Sequence, residues 1–141
     1  MTAGFEFVDT NVLLYAYDRG RPAKQAKAVA LLKRLWEEGS GTLSLQVLQE
    51  FYVNVTRKLP ESLEPEQAEA VVADFGTWKV YAPRFADVIK AIRLSQVHQL
   101  SFWDAMIVHS ARALGCGVLW SEDLNPGQRF GGLEVRNPFQ D

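Results

Sequence analysis

Short apolar runs alternate with longer segments of helical periodicity along almost the whole chain. That order constrains the fold more than any other feature, because strands alternating with helices build a parallel sheet covered on both faces. The first run, Phe5-Glu6-Phe7-Val8, suits a largely buried pleated surface. Asp9-Thr10-Asn11 follows it directly, and these residue types leave a strand and open a helix. A carboxylate at the carboxyl end of an inner parallel strand stands where open α/β sheets place their ligands.

The rest of the chain continues the pattern. Pro22 suits the first turn of a helix over Ala23–Glu38, which Gly39-Ser40-Gly41 ends. Thr42–Leu45 reads as a second strand. Gln46–Leu59 reads as a helix stopped by Pro60, with Val47, Leu48, Phe51, Tyr52, Val55 and Leu59 within an arc of about 140°. A helix over Glu66–Phe75 and a strand over Trp78–Tyr81 come next. Helices over Arg84–Gln99 and Phe102–Leu114 follow, the second capped by Ser101. Val118–Trp120 is a fourth, fully apolar strand, and Leu133–Arg136 alternates like an exposed or edge strand. The expectation is an α/β fold: one domain over residues 1–141, with a parallel sheet of about five strands flanked by helices on both faces.

Composition narrows the class. Hydrophobic residues make up 48% and charged residues 23%, as in ordinary globular proteins. No apolar run approaches the roughly 20 residues of a membrane span, and no signal-peptide pattern opens the chain. One cysteine, Cys116, excludes an internal disulfide framework and suits a reducing compartment, so the expected location is the cytoplasm. A net charge of −2 argues against a general nucleic-acid coat but leaves room for a nuclease with an acidic site.

Four acids stand out. Asp9 is either a helix cap or, if Thr10 and Asn11 do the capping, free for other work. Glu50 lies about 60° outside the apolar arc of its helix, with Asn54 as its polar neighbour one turn on. Asp104 sits inside an apolar stripe of Trp103, Ile107, Val108, Ala111 and Leu114, which is costly for an acid that is neither paired nor bound to a cation. The spacing from Ser101 also fits a capping box, yet such an acid normally faces solvent, so Asp104 is read as functional. Asp123 follows a buried strand as Asp9 does, with Glu122 as its competitor; periodicity does not say which turns inward. Carboxylates crowded together repel and protonate unless cations hold them. All-oxygen ligation suits Mg²⁺ or Mn²⁺, whereas His98 and His109 lack the ligand spacing of a zinc site. Such ions support phosphodiester cleavage.

Val8-Asp9-Thr10-Asn11, Gln49-Glu50-Phe51, Phe102-Trp103-Asp104-Ala105 and Ser121-Glu122-Asp123-Leu124 resemble the four acidic motifs of PIN domains. Their order and spacing are most similar to VapC-type toxins of toxin–antitoxin pairs, and the resemblance spans essentially the whole chain. It implies a Mg²⁺- or Mn²⁺-dependent endoribonuclease, usually a homodimer, inhibited by a small antitoxin whose tail enters the acidic site. Asp9, Glu50, Asp104 and Asp123 fall at the metal-binding positions, and Thr10, Asn11 and Ser121 at supporting polar ones. A surplus of apolar residues on the early helices (Leu13, Leu14, Tyr15, Tyr17, Leu31, Leu35, Trp36) is read as part of a two-fold interface.

Other classes fit less well. A receiver domain needs adjacent acids after the first strand and a lysine where Asp123 stands. A phosphoaspartate phosphatase needs Asp-x-Asp where the chain has Asp-Thr-Asn. An idle acidic binding module and a PIN nuclease of ribosomal RNA maturation share the same residues, and RNA cleavage separates the first of these from the enzymes.

Overall fold

The computed structural model describes residues 4–140; residues 1–3 and 141 of the expected domain lie outside it. In chain order the elements are β1 (Glu6–Val8), α1 (Thr10–Tyr15), α2 (Pro22–Glu38), β2 (Gly41–Ser44), α3 (Leu45–Val55) and α4 (Pro65–Phe75). There follow β3 (Lys79–Tyr81), α5 (Phe85–His98), α6 (Phe102–Ala113), β4 (Val118–Trp120), β5 (Arg129–Phe130) and β6 (Leu133–Arg136). The strands form one sheet in the order β3-β2-β1-β4-β6-β5. All pairings are parallel except the last, in which β5 runs antiparallel to β6. This is the mixed α/β, mostly parallel architecture that the alternation predicts.

Burial explains why the apolar runs are strands. Phe7, Val8, Leu43, Leu119 and Val135 are fully covered, and all four residues of β2 are buried, as a sheet covered on both faces requires. Val12 and Leu13 of α1, Leu35 of α2, Val47 and Phe51 of α3, and Val108 of α6 complete the core. The chain runs from β1 outward to β2 and β3, then crosses back to place β4 on the other side of β1. Strands β1 and β4 are therefore central neighbours, with Val8 opposite Trp120. The direction of winding reverses between them, which opens a crevice at their carboxyl ends.

Four details depart from the sequence reading. Strand β2 is shifted one residue earlier, because the Ser44 hydroxyl accepts from Val47 N at 3.3 Å and starts the helix at Leu45. Leu45, expected in the strand, is the exposed first residue of α3. That helix ends at Val55, four residues short of the expected Leu59. Strand β5 was not anticipated: Gly131-Gly132 forms a two-residue hairpin, with Gly131 at φ 65°, pairing Phe130 with Leu133. β6 is thus not an edge strand.

Part of the apolar surplus on the early helices is consumed inside the chain. Leu13 and Leu35 are fully buried and Leu31 nearly so. Tyr15 packs edge-on against Phe139, and Trp36 packs against Phe75 and Trp78. The sequence argument for a two-fold interface loses Leu13, Leu31 and Leu35, whereas Trp36 stays 45% exposed; a linear pattern does not reveal how much apolar surface the later elements bring to cover it.

Candidate active site

Asp9 leaves β1 in an extended conformation and is the N-cap of α1. Its Oδ1 accepts from Thr10 N at 2.7 Å, and its Oδ2 accepts from Ser121 Oγ at 2.8 Å and, more distantly, from Asn11 Nδ2 at 3.5 Å. Of the two alternatives the sequence leaves open, the structure realises the cap, yet Asp9 caps with one oxygen and faces the crevice with the other. It is only 5% exposed. Burial pushes its carboxyl up to about 7; the bonds from Ser121 and Thr10 oppose this, and the charges of Asp123 and Asp104 add to it.

Asn11 bridges the two central strand ends. Its Nδ2 donates to Asp123 Oδ2 at 3.0 Å, and its Oδ1 accepts from Glu122 N at 3.2 Å. The competition between Glu122 and Asp123 is thereby decided. Glu122 turns away to pair with Lys24 and accepts from Tyr15 OH at 2.9 Å. Burial pushes the Glu122 carboxyl upward, but Lys24 and Tyr15 more than offset it and leave it below the usual carboxylate range. Asp123 is left beside Asn11.

Glu50 arrives from α3. Its Oε1 accepts from Thr10 Oγ1 at 2.6 Å, and its Oε2 accepts from Gln46 Nε2 at 3.2 Å. Asn54 does not meet the Glu50 carboxylate; it donates to the backbone carbonyl of Glu50 at 2.7 Å. The sequence reading missed Gln46, a buried amide that also donates to the Trp103 carbonyl at 3.3 Å and so ties α3 to the start of α6. The signal was its position four residues before Glu50, on the same helix face.

Asp104 occupies the first turn of α6, where its backbone N–H donates to the Ser101 hydroxyl at 3.1 Å. The cap is real. Yet the side chain is half-buried: burial pushes its carboxyl up, Ser101 opposes this, and the charges of Asp123 and Glu50 push it further up. Ile107, Val108 and Ala111 are buried as the stripe predicts, but Trp103 is 61% exposed. It stands at the helix start, before the buried stretch that begins at Ala105.

The acids are thus distributed rather than fused. Among the described residues no three acidic, histidine or cysteine side chains stand close enough to enclose an ion unaided. Nor does any lysine or arginine pair with the four acids among the described residues. Mg²⁺ is commonly held by one or two carboxylates, with water and phosphate oxygens completing the shell. Asp9 and Asp123, joined through Asn11, with the charge of Asp104 acting on Asp9 and that of Glu50 on Asp104, supply that all-oxygen donor set. The residues fit a hard divalent cation, which would also offset the mutual repulsion that adds to burial in holding Asp9 and Asp104 above their usual range.

The sequence matches the PIN domain family over residues 7–128. No curated protein matches the chain. Among solved structures, a toxin–antitoxin complex from Klebsiella pneumoniae superposes with a TM-score of 0.70 at 18% identity, covering 94% of this chain and 97% of the other. VapC20 of Mycobacterium tuberculosis, a sarcin–ricin-loop-cleaving toxin, gives 0.61 at 21%, covering 81% and 86%. VapBC from Salmonella typhimurium, bound to DNA, gives 0.65 at 19%, covering 96% and 99%. At these identities the likeness is one of fold.

Proposed function

The chain belongs to the PIN-domain family, and from that premise we propose that it is a Mg²⁺- or Mn²⁺-dependent endoribonuclease, the toxin of a toxin–antitoxin pair. The observation that carries this reading is the meeting of Asp9, Asn11, Ser121 and Asp123 at the carboxyl ends of β1 and β4, with Glu50 and Asp104 in electrostatic reach.

In this reading Asp9 and Asp123 would hold the ion, with Glu50 and Asp104 completing the acidic rim. The ion, when bound, activates a water and stabilises charge on the phosphate oxygens. The protein's own part is orientation. Ser121 and Thr10 N–H fix the Asp9 carboxylate, Asn11 spaces it from Asp123, and Thr10 with Gln46 holds the carboxylate of Glu50. Residues 1–141 act as one nuclease domain. A small antitoxin as partner accords with the toxin–antitoxin complexes that share the fold. A homodimer and a cytoplasmic location accompany the VapC-type reading; no helix among the described residues is long and apolar enough to cross a membrane.

The test is cleavage of a quenched fluorescent single-stranded RNA by the purified protein. Cleavage is expected with Mg²⁺ or Mn²⁺, its loss with EDTA, and its restoration on adding the metal back. Cleavage that continues in EDTA would overturn the mechanism.

A further inference from the structure

We propose that the groove between α5 and α6 is a second RNA contact, holding the phosphodiester backbone of the substrate beyond the bond that is cut. This rests on the ribonuclease reading above and extends it to a surface that reading does not use.

The groove encloses about 600 Å³ and carries Lys90, Arg93 and Arg112 on its walls, with His98 and His109 beside them. None of the three strong cations enters an ion pair among the described residues. The sequence isolates them as well: between residues 88 and 117 the only acid is Asp104, in a chain whose net charge is −2. One carboxylate, Asp87, lines the groove, and it is fully engaged. Its Oδ1 accepts from Tyr81 OH at 2.6 Å and bonds His109 Nε2 at 2.7 Å, while its Oδ2 accepts from Arg84 N at 2.7 Å. Three cations against this one carboxylate leave the groove net positive.

The remaining wall is apolar. Leu94, Ala113 and Val97 line it, and Val97 is 74% exposed. Cations for phosphates beside an apolar wall for bases and sugars make up the surface that single-stranded nucleic acid uses. Position favours RNA over an acidic peptide. Arg112 lies on the same helix as Asp104, eight residues on, a rise of about 12 Å. A strand with one phosphate among the acids would carry its next phosphates toward the groove along α6.

The test measures binding without turnover. A short 2′-O-methyl oligouridylate, resistant to cleavage, is titrated into the protein in EDTA at several salt concentrations, followed by fluorescence anisotropy. The variant is Lys90→Ala/Arg93→Ala/Arg112→Ala; these exposed side chains make no side-chain bond among the described residues, and a thermal melt checks the fold. The control is Arg57→Ala/Lys58→Ala, in the turn that follows α3. We expect the triple variant to bind at least about tenfold more weakly and to lose about 2 from its log–log salt slope, since each single-strand phosphate contact contributes about 0.7. The control should match wild type. Unchanged affinity and slope in the triple variant, or no binding by wild type, would overturn the proposal. So would loss of polyglutamate binding with RNA binding intact, which would mark the groove as a surface for an acidic protein. Groove-dependent binding without any Mn²⁺-supported cleavage leaves the groove standing and removes the nuclease reading. Cleavage by the triple variant with unchanged KM does the reverse.

Discussion

The Ser121 hydroxyl donates to Asp9 Oδ2 at 2.8 Å and accepts from Asp123 N at 3.1 Å. One fully buried side chain thus joins the ends of the two central strands and aims the carboxylates that leave them. Replacing it with alanine strips a donor from a buried carboxylate and an acceptor from a backbone N–H. Ser121→Ala is expected to lower stability by about 1–3 kcal/mol and to weaken Mn²⁺-induced stabilisation as well. Urea denaturation with and without Mn²⁺ measures both, and an unchanged midpoint would show that the hydroxyl holds nothing.

Asp104 separates a structural from a functional role. Its backbone N–H is already satisfied by Ser101, so Asp104→Asn keeps that cap. If the carboxylate acts only at the helix end, the variant loses about 0.5–2 kcal/mol and keeps its response to metal. The charges of Asp123 and Glu50 facing it predict otherwise. Asp104→Asn should melt no lower than wild type without metal, lose most of the Mn²⁺-induced shift, and cleave RNA poorly. Paired melting curves decide between the two.

Asp87 predicts an acid-limb effect remote from the crevice. The N–H of Arg84, the Tyr81 hydroxyl and His109 hold its carboxyl well below the usual carboxylate range. A depressed folded-state value means the stabilisation is present above the unfolded value, near pH 4, and drains away as pH falls below it. Asp87→Ala should cost about 1–3 kcal/mol at neutral pH, because three donors lose their acceptor. The stability gap to wild type should narrow below about pH 4. A gap that stays constant with pH would show that the charge contributes nothing.

Gly41 is required by contact rather than by backbone angle. A Cβ there would lie 2.4 Å from the Trp78 ring, which covers the start of β2. Gly41→Ala should destabilise by about 1–3 kcal/mol through overpacking. Adding Trp78→Leu should recover part of that loss, as coupled neighbours do; strictly additive effects by denaturant titration would refute the contact.

The alternation of apolar runs with helical segments was enough to specify a parallel α/β sheet. Local signals also placed several element ends: Pro22 opens α2, Gly39 closes it in the left-handed conformation, and Ser101 caps α6. These are properties of a few adjacent residues, and each is written in the chain where it acts. The four acids could be singled out for the same reason, since each breaks the pattern of its own strand end or helix face.

Tertiary structure alone decided what those residues meet. Glu122 and Asp123 are indistinguishable by periodicity, and the choice fell to Tyr15 and Lys24, which claim Glu122 from about 100 residues away in sequence. Gln46 reads as an ordinary helix residue until α6 brings the Trp103 carbonyl against it. Leu13 and Leu35 read as surplus until the rest of the core closes over them. Periodicity reports which face of an element is apolar; it carries no information about which distant donor, charge or ring will be packed against that face. Burial, and with it the raised pKa of Asp9, arises only when the elements come together.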